Sequence, residues 1–306
     1  MRRPFLFSAA LAFAAASCGA PAKANDSEWL MRAISSARSG GVVDIPAGNY
    51  DLTDFKIGRS VTLRGAADGK TVFRSAAVTD KGILVPQTGV NLTVENITFI
   101  GTKSWDRNGA GIRHEGRNLT VVNCKFLDND DGILSTGSAD GVITITNSDF
   151  RDNGFGDGQS HAIYVSSGHK LDVEGGNFVN TRIGHHVKSL ADITIVKGAT
   201  LDDGYGKGSY AVDASKGGDV TVADNTIIQS ADGENYTIIN YDLTRGGAAT
   251  RLVVTGNKII NRYDGGVFLR NDTKLHPVMA GNVIENEGKS PLKLLQPGTP
   301  KPVDHE

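Results

Sequence analysis

The chain has 306 residues, a formal net charge of −2 and only two cysteines. A mildly acidic chain is a poor match for nucleic acid or an anionic membrane surface, because both are bound by basic proteins. Two cysteines exclude a disulfide framework as the source of stability, so the fold must depend on its hydrophobic core.

The N-terminus has the pattern of a secretory signal peptide. A basic start precedes an apolar run over residues 5–16, and Ala22-Lys23-Ala24 supplies the small residues of a cleavage site. The run is too short to span a membrane, and no later segment is apolar enough to do so. We therefore predict a periplasmic or secreted protein. Lipid anchoring through Cys18 is the rival interpretation, although Ala15 stands where such signals usually carry Leu.

Residues 26–38 predict a single amphipathic helix. Its apolar residues recur at helical spacing from Trp29 to Ile34, Asp26 or Ser27 is a suitable N-cap, and Gly40-Gly41 ends it. Such a helix can cover the open end of a stack of strands, which otherwise exposes unpaired strand edges.

After residue 40 a short phrase rich in Val, Ile and Thr is repeated. The clearest copies are Asn91–Phe99, Asn118–Phe126 and Val142–Phe150, and weaker copies begin at Lys170, Asp219, Arg251 and His276. A repeat of roughly 25 residues is in the range that indicates a solenoid. The segments between copies are rich in Gly, Asn and Asp, which supply the positive-φ turns of a tight coil.

This pattern predicts an all-β fold, a single-stranded right-handed parallel β-helix solenoid with an N-terminal capping helix. An antiparallel sandwich would instead show hairpin signals without a long repeat. The predicted boundaries are a signal peptide over 1–24, the β-helix over 25–296 and a flexible tail over 297–306.

Aligning a second set of strands by their core residues predicts columns of neighbouring side chains. The core residues are Ile112, Ile133, Ile163, Val187, Val212 and Ile239. Side chains alternate along a strand, so the residues on both sides of each core position are expected to face outward. The column after the core reads Arg113, Leu134, Tyr164, Lys188, Asp213 and Asn240, and the column before it contains His186.

Neighbouring coils are about 4.8 Å apart, so Tyr164, Lys188 and Asp213 should form one polar strip. Four of the seven histidines fall close to it, Tyr210 lies at its rim, and Tyr236 is expected at the corresponding place one coil further on. We predict catalytic roles for His161, Tyr164, His185, His186, Lys188 and Asp213. We predict substrate-binding roles for Arg113, His114, Tyr210, Tyr236 and Asn240.

These residue types suit chemistry on an acidic sugar. Removing the proton next to a uronate carboxylate needs a base, and positive charge must stabilise the developing enolate. Tyr164 or His161 can be the base, and a phenol needs adjacent cations to work near neutral pH. Lys188, with His186 or Arg113, can neutralise the carboxylate. Elimination then gives a lyase, whereas return of a proton to the opposite face gives an epimerase.

Metal binding is not predicted from these residues. The turns at Asn129-Asp130-Asp131-Gly132 and Asp202-Asp203-Gly204 fit Ca²⁺ loosely and ordinary turn chemistry better. Arg262 and Arg270 have no assignable partner and are expected at the surface. The sequence leaves the oligomeric state open.

Several segments resemble the pectate-lyase-like β-helix proteins, a group that includes secreted bacterial proteins. They are Ala33–Tyr50 at the start, Asn118–Phe126 with Asp131–Ile133 in the repeats, and then His161–Val165 and Gly184–Ser189. The resemblance implies the β-helix fold and a polysaccharide lying along the parallel sheet. The chain departs from the polygalacturonases by lacking their N-T-D, G-H-G and R-I-K motifs, and from the mannuronan epimerases by lacking D-P-H-D.

The leading hypothesis is therefore an exported carbohydrate-active protein, a lyase or C5-epimerase acting on a uronate-containing polysaccharide. One alternative is a glycoside hydrolase, which needs two carboxylates roughly 5–10 Å apart, drawn here from Asp130, Asp131 and Asp213. The other is a non-catalytic polysaccharide-binding or scaffold protein of the envelope.

Overall fold

The computed structural model describes residues 25–297. The predicted signal peptide with Cys18, and the predicted tail after residue 297, lie outside the described residues and stay predictions. Within residues 25–297, no helix is both long and apolar enough to cross a membrane.

One helix, α1 (Ser27–Ser36), precedes thirty strands. The first ten strands are β1 (Gly41–Ile45), β2 (Gly48–Asp51), β3 (Phe55–Ile57), β4 (Val61–Gly65), β5 (Thr71–Arg74), β6 (Gly82–Pro86), β7 (Asn91–Glu95), β8 (Ile97–Ile100), β9 (Ala110–His114) and β10 (Asn118–Val122). The next ten are β11 (Lys125–Leu127), β12 (Asp131–Ser135), β13 (Val142–Thr146), β14 (Asp149–Arg151), β15 (Ile163–Val165), β16 (Lys170–Glu174), β17 (Asn177–Val179), β18 (Val187–Ser189), β19 (Ile193–Lys197) and β20 (Thr200–Asp202). The last ten are β21 (Val212–Ala214), β22 (Gly217–Ala223), β23 (Thr226–Gln229), β24 (Thr237–Tyr241), β25 (Ala248–Thr255), β26 (Lys258–Asn261), β27 (Val267–Asn271), β28 (Val278–Ala280), β29 (Val283–Asn286) and β30 (Lys293–Pro297).

The strands form three ten-stranded parallel sheets, and every third strand belongs to the same sheet. We call them the first sheet (β1, β4 and so on to β28), the second sheet (β2 to β29) and the third sheet (β3 to β30). Each coil of the chain contributes one strand to each sheet, which is the topology of a parallel β-helix. The predicted fold class is confirmed.

The repeated phrase occupies the first and second sheets and fills the core. Leu119 pairs with Leu92 and Ile143, and the phenylalanines that end the phrases stack on one another inside the solenoid. The ring centroids of Phe99, Phe126, Phe150 and Phe178 are successively 4.9, 4.7 and 4.7 Å apart. Offset stacks of this kind add to the free energy gained by burying the rings.

One copy of the repeated phrase was not recognised in the sequence. Strand β19 lies between the copies that begin at Lys170 and Asp219, and its Thr194 pairs with Leu171 of the core. Thr194 is buried in the core, and its hydroxyl lies 2.7 Å from the Ser189 hydroxyl. This hydrogen bond makes the burial of a polar side chain tolerable. A polar residue in the core position hides this copy from an apolar pattern.

The turns and the capping helix follow the predicted chemistry. Asn96, Asn123 and Asn147 each adopt a positive φ at the bend between the first and second sheets. Asp26 caps α1 by accepting a hydrogen bond of 2.7 Å from the Trp29 amide. The helix buries Leu30 and Ile34 against the first coil.

Candidate functional site

The predicted outward column exists on the third sheet. Strand pairing aligns Arg113 with Leu134, Leu134 with Tyr164, and Tyr164 with Lys188. It continues from Lys188 to Asp213 and on to Asn240. The core residues that alternate with this column, from Ile112 to Ile239, are fully buried as predicted. We call the outer surface that carries this column the third-sheet face.

A second column runs beside the first, and it is not the one that the sequence predicted. The residues directly before the core positions also point inward, because the chain bends there between the second and third sheets. A Cβ at Gly132 would lie 2.8 Å from the Phe150 ring, and Ala162 of the next coil is completely buried. The residues one position earlier, Asp131, His161, His185 and Tyr210, follow one another from coil to coil, and His161 meets the outward-facing Tyr164 ring.

His186 is therefore excluded from the third-sheet face. Its Nδ1 lies 2.8 Å from the Thr181 hydroxyl, its Nε2 lies 3.2 Å from Asp203 Oδ1, and its ring packs near Phe178. The side chain is only 1% exposed. Strict alternation fails at the bend, and that failure made the prediction for His186 wrong.

His114 also lies away from the third-sheet face, which corrects its predicted position. It follows outward-facing Arg113 in strand β9, so alternation turns its ring into the solenoid, where Nδ1 lies 2.9 Å from the Ser135 hydroxyl. Burial lowers the pKa of His114 to about 4, so the ring is neutral at ordinary pH. His114 is a core histidine.

Tyr164 and Lys188 form the centre of the third-sheet face. The Lys188 ammonium lies 4.8 Å from the centroid of the Tyr164 ring, close enough for a cation–π contact. Lys188 is only 5% exposed, whereas Tyr164 is partly exposed. A cation thus lies beneath an accessible phenol.

His161, His185 and Tyr210 form an aromatic row beside that pair. The His161 and His185 rings are stacked with centroids 4.6 Å apart, and the Tyr210 ring follows at 4.9 Å. His161 also meets the Tyr164 ring edge to face, at 5.4 Å. Burial lowers the pKa of His161 well below its usual value, and the nearby Lys188 ammonium lowers it further.

Asp131 precedes this row, and the sequence analysis considered it only as a hydrolase carboxylate and as part of an acidic turn. Its Oδ1 accepts a hydrogen bond of 2.7 Å from the His161 amide, while its Oδ2 is buried without a partner among the described residues. Burial raises the pKa of Asp131 well above its usual value. The hydrogen bond from the His161 amide and the charges of Arg113 and Lys188 offset part of this rise, whereas the charge of Asp130 adds to it. The alignment that placed Tyr164 would have found Asp131 once the bend was known.

The far end of the face is acidic and rich in amides. Asn240 Nδ2 donates to Asp213 Oδ1 at 2.7 Å and to Asp242 Oδ2 at 2.9 Å, and the Ser215 hydroxyl donates to Asp213. Asp213, Asn240 and Asp242 are all at most 4% exposed. His185 Nε2 lies 3.7 Å from Asp213 Oδ2, which joins this network to the histidine row.

Arg270 extends the column by one coil, which corrects its prediction as a surface residue. It pairs with Asn240, is 7% exposed, and makes a salt bridge of 2.7 Å with Asp272. Tyr236 is one residue out of the predicted column, because the pairing of Val212 with Ile239 puts Thr237 opposite Tyr210. Tyr236 is 44% exposed beside the row rather than within it.

The acidic turns accept hydrogen bonds from nearby backbone amides. Asp130 Oδ2 accepts from the Ser104 and Gly109 amides, and Asp202 Oδ1 accepts from the Gly204 amide. Among residues 25–297, no three His, Cys, Asp or Glu side chains are grouped so that they could hold a metal ion.

The third-sheet face coincides with neither of two depressions in the described part of the chain. One, of about 590 Å³, lies near Lys207, Glu234 and Tyr263, and the other, of about 410 Å³, lies near Tyr205 and Arg262. A small molecule usually occupies a concave pocket, so the geometry of the face suits an extended ligand better.

Comparison with known proteins identifies the family. The family model described as the right handed beta helix region matches residues 131–299, which is more than half of the chain, so the protein belongs to this family. Comparison with curated protein sequences gives no match.

Solved structures with the same fold include proteins of different kinds. ORF18 of Geobacillus virus E2 superposes with a TM-score of 0.58 at 15% identity, covering 89% of this chain and 57% of its own. The PL6 family alginate lyase AlyGC gives 0.53 at 16% identity, covering 88% and 36%. An alginate lyase from Paenibacillus sp. str. FPU-7 gives 0.51 at 15% identity, covering 87% and 95%.

This chain therefore spans little more than half of the first of these proteins and about a third of the second. At such low identity the similarity shows the fold alone, since one fold carries many functions.

Proposed function

We propose that the third-sheet face binds a uronate-containing polysaccharide and removes the proton next to the sugar carboxylate, leading to β-elimination. The contact between the Lys188 ammonium and the Tyr164 ring carries this proposal. A buried cation is costly to maintain, and an accessible phenol beside it is a suitable base. The alginate lyases with the same fold provide a precedent for the substrate class.

In this mechanism the Tyr164 oxygen takes the proton from the sugar carbon that carries the carboxylate. The electron pair of the broken C–H bond first builds the enolate, which Lys188 and Arg113 stabilise through the carboxylate oxygens. It then forms a carbon–carbon double bond while the glycosidic C–O bond breaks, and the leaving oxygen takes up a proton. If the proton instead returns to the opposite face of the carbon, the same site performs C5-epimerisation.

Tyr164 is preferred over His161 as the base because the phenol is accessible. Burial and the nearby Lys188 ammonium hold the pKa of His161 well below its usual value, so this ring takes up a proton only weakly. Asp213 and Asn240 form a fixed polar support beside Lys188, since strand pairing places Asp213 next to Lys188. Tyr210 offers a flat surface for a neighbouring sugar ring.

The glycoside hydrolase alternative is disfavoured by the spacing of the carboxylates. Asp131 and Asp213 are three coils apart, which corresponds to about 14 Å at the usual spacing of strands. Inverting and retaining hydrolases need separations of roughly 5–10 Å. Asp130 is turned away into the loop that contains Ser104.

The test is to incubate the protein with polymannuronate, polyguluronate and polygalacturonate and to follow the ultraviolet absorbance of unsaturated ends. A Lys188→Ala variant should lose this signal, while Lys125→Ala, an exposed lysine of the second sheet, should retain it. Exchange of solvent deuterium into the polymer without new absorbance would identify the epimerase. New reducing ends without absorbance would identify a hydrolase, and binding without any product would identify a scaffold protein.

We further propose that the protein is exported. The basic start, the apolar run over residues 5–16 and Ala22-Lys23-Ala24 support export. The N-terminal sequence of the protein recovered from the periplasm or the medium should begin at Asn25. Recovery of a lipid-modified protein that begins at Cys18 would instead support membrane anchoring.

A further inference from the structure

The row Asp131, His161, His185 and Tyr210 extends the backbone hydrogen bonding of the third sheet through its side chains. Asp131 Oδ1 accepts from the His161 amide at 2.7 Å, and His161 Nδ1 accepts from the His185 amide at 3.0 Å. His185 Nδ1 then accepts from the Tyr210 amide at 3.2 Å. Each side chain thus receives the N–H group of the next coil.

These bonds determine where the histidine protons are. A backbone amide can only donate, so the ring nitrogen that accepts from it must present a lone pair. Nδ1 is that nitrogen in both His161 and His185. A neutral imidazole carries one proton, which must therefore be on Nε2 in both rings.

The same bonds determine the direction of the two N–H groups. Nε2 is at the tip of the ring, farther from the backbone than Nδ1, and both residues belong to the outward column. His161 is completely buried, and its Nε2 has no hydrogen-bond partner among the described residues. A buried donor without an acceptor costs about 1–3 kcal/mol, so it is expected to meet an acceptor when the site is filled.

We propose that His161 and His185 are neutral Nε2–H tautomers, that the His161 Nε2–H group binds a carboxylate of the ligand, and that neither ring acts as the general base. This inference deepens the proposed function and rests on it for the identity of the ligand. The lone pair that a base would use is already engaged by the next coil in each ring. Protonating either ring would require breaking that backbone hydrogen bond.

The surroundings of His161 favour an anion as the acceptor. The Lys188 ammonium, on the next coil, acts electrostatically on His161. Arg113 Nε is buried without a partner among the described residues. Tyr164 lies across the edge of the ring, and His185 is stacked on it. Asp131 is the one carboxyl group in the preceding coil of this row, and burial favours its neutral form.

Nitrogen-15 spectra of the imidazole side chains test the tautomers directly on the wild-type protein. His161 and His185 should each show an acceptor-type Nδ1 and a protonated Nε2 at pH 7, and the His161 pattern should persist down to about pH 5. His161→Asn and His185→Asn assign the signals among the seven histidines. A proton on Nδ1, or an imidazolium form of His161 near pH 6.5, overturns the inference.

Ligand binding is tested with sodium glucuronate, and glucose is the uncharged control. Glucuronate should shift the His161 Nε2–H signal, and glucose should not. His161→Asn keeps an oxygen for the His185 amide but removes the outward donor, so it should weaken glucuronate binding roughly 10- to 100-fold. Circular dichroism and thermal unfolding establish that the variant folds.

The outcomes separate this inference from the proposed function. If the tautomers and the glucuronate shift are observed but no polymer is cleaved, the inference about the histidines stands and the lyase proposal fails. If the polymer is cleaved but glucuronate leaves the His161 signal unchanged, the inference about the histidines fails and the lyase proposal stands.

Discussion

The outer faces of the first and third sheets are built by the same coils, yet they carry very different side chains. The first-sheet face presents a row of threonines, Thr93, Thr120 and Thr144, which are partly exposed to water. On the third-sheet face, Lys188 and Asp213 are buried to 5% exposure or less. Both sheets have parallel pairing throughout, so the difference resides in the side chains.

That difference has a thermodynamic meaning. A partly exposed threonine suits a strand and keeps its hydroxyl hydrated, whereas taking a charged group out of water costs several kcal/mol unless it is well paired. The solenoid would be at least as stable with threonines on both faces. The buried charges of the third sheet are therefore better explained by a site than by the requirements of the fold.

The largest expected effect is on catalysis. Tyr164→Phe removes the hydroxyl but keeps the ring over which the Lys188 ammonium lies, so the fold should be preserved. Loss of a general base typically lowers turnover by about 10²- to 10⁴-fold. The matched change on the first sheet, Thr144→Val, should leave the rate of formation of unsaturated ends unchanged. Equal rates for Tyr164→Phe and wild type would remove Tyr164 from the mechanism.

The next effect is on stability. Asp213→Ala leaves the Asn240 and Ser215 donors without their acceptor inside the network, so it should lower the free energy of unfolding by about 3 kcal/mol or more. Asp172→Ala on the first-sheet face breaks a half-exposed ion pair with Lys170 and should cost less than about 1 kcal/mol. Urea unfolding of both variants measures the difference, and similar losses would mean that the two faces are energetically alike.

The sequence predicted most of the fold and about half of the site because a repeat converts spacing into position. Once the core residues were aligned, Arg113, Tyr164, Lys188, Asp213 and Asn240 followed from alternation alone. The alignment worked because each of these positions is directly preceded by a buried apolar residue on the same strand.

The remaining predictions failed where alternation fails. At the bend before each strand of the third sheet two consecutive residues face inward, so His186 was expected outside and Asp131 was overlooked. His114 lies on a regular strand, but because histidine is polar it was expected at the surface. Inside the solenoid its ring is instead hydrogen bonded to the Ser135 hydroxyl. Arg270 was not assigned to the column that contains Asn240. Its salt-bridge partner, Asp272, lies just after β27, the strand that pairs Arg270 with Asn240.

The two sheets should also differ in their response to acid. The strands of the first sheet contain no histidine, whereas His114 in the third sheet has its pKa lowered by burial to about 4. Its neutral form is required in the folded state, so stability should be lost as the pH falls from about 6.5 toward 4. The loss amounts to about 3 kcal/mol by pH 4, since each unit of pKa difference is worth 1.36 kcal/mol.

His114→Asn should flatten this part of the pH–stability curve. The matched variant His169→Asn replaces an exposed histidine just before a first-sheet strand and should follow the wild-type curve. Thermal unfolding between pH 7 and pH 4 provides the comparison. If the stability of His114→Asn falls with pH as steeply as that of the wild type, other groups control acid unfolding.

The smallest expected effect is a loss of stability as the pH rises, the opposite direction to the effect of His114. Burial raises the pKa of Asp131, so the folded protein binds this proton more tightly than the unfolded chain, and stability contributed by Asp131 declines as the pH rises above about 4. Asp131→Asn removes that decline and should be more stable than wild type at pH 7, with the gain vanishing toward pH 4. Asp172→Asn on the first-sheet face should show no such gain.

The result for Asp131 also decides how the site is charged before a ligand arrives. If the stabilisation by Asp131→Asn is still increasing with pH at neutral pH, burial outweighs the attraction of Arg113 and Lys188, and Asp131 is neutral in the free protein. Both cations are then available to a uronate carboxylate. If the variant is instead destabilising, Asp131 is an anion that neutralises part of that positive charge, and a ligand carboxylate would have to compete with it for the same two cations.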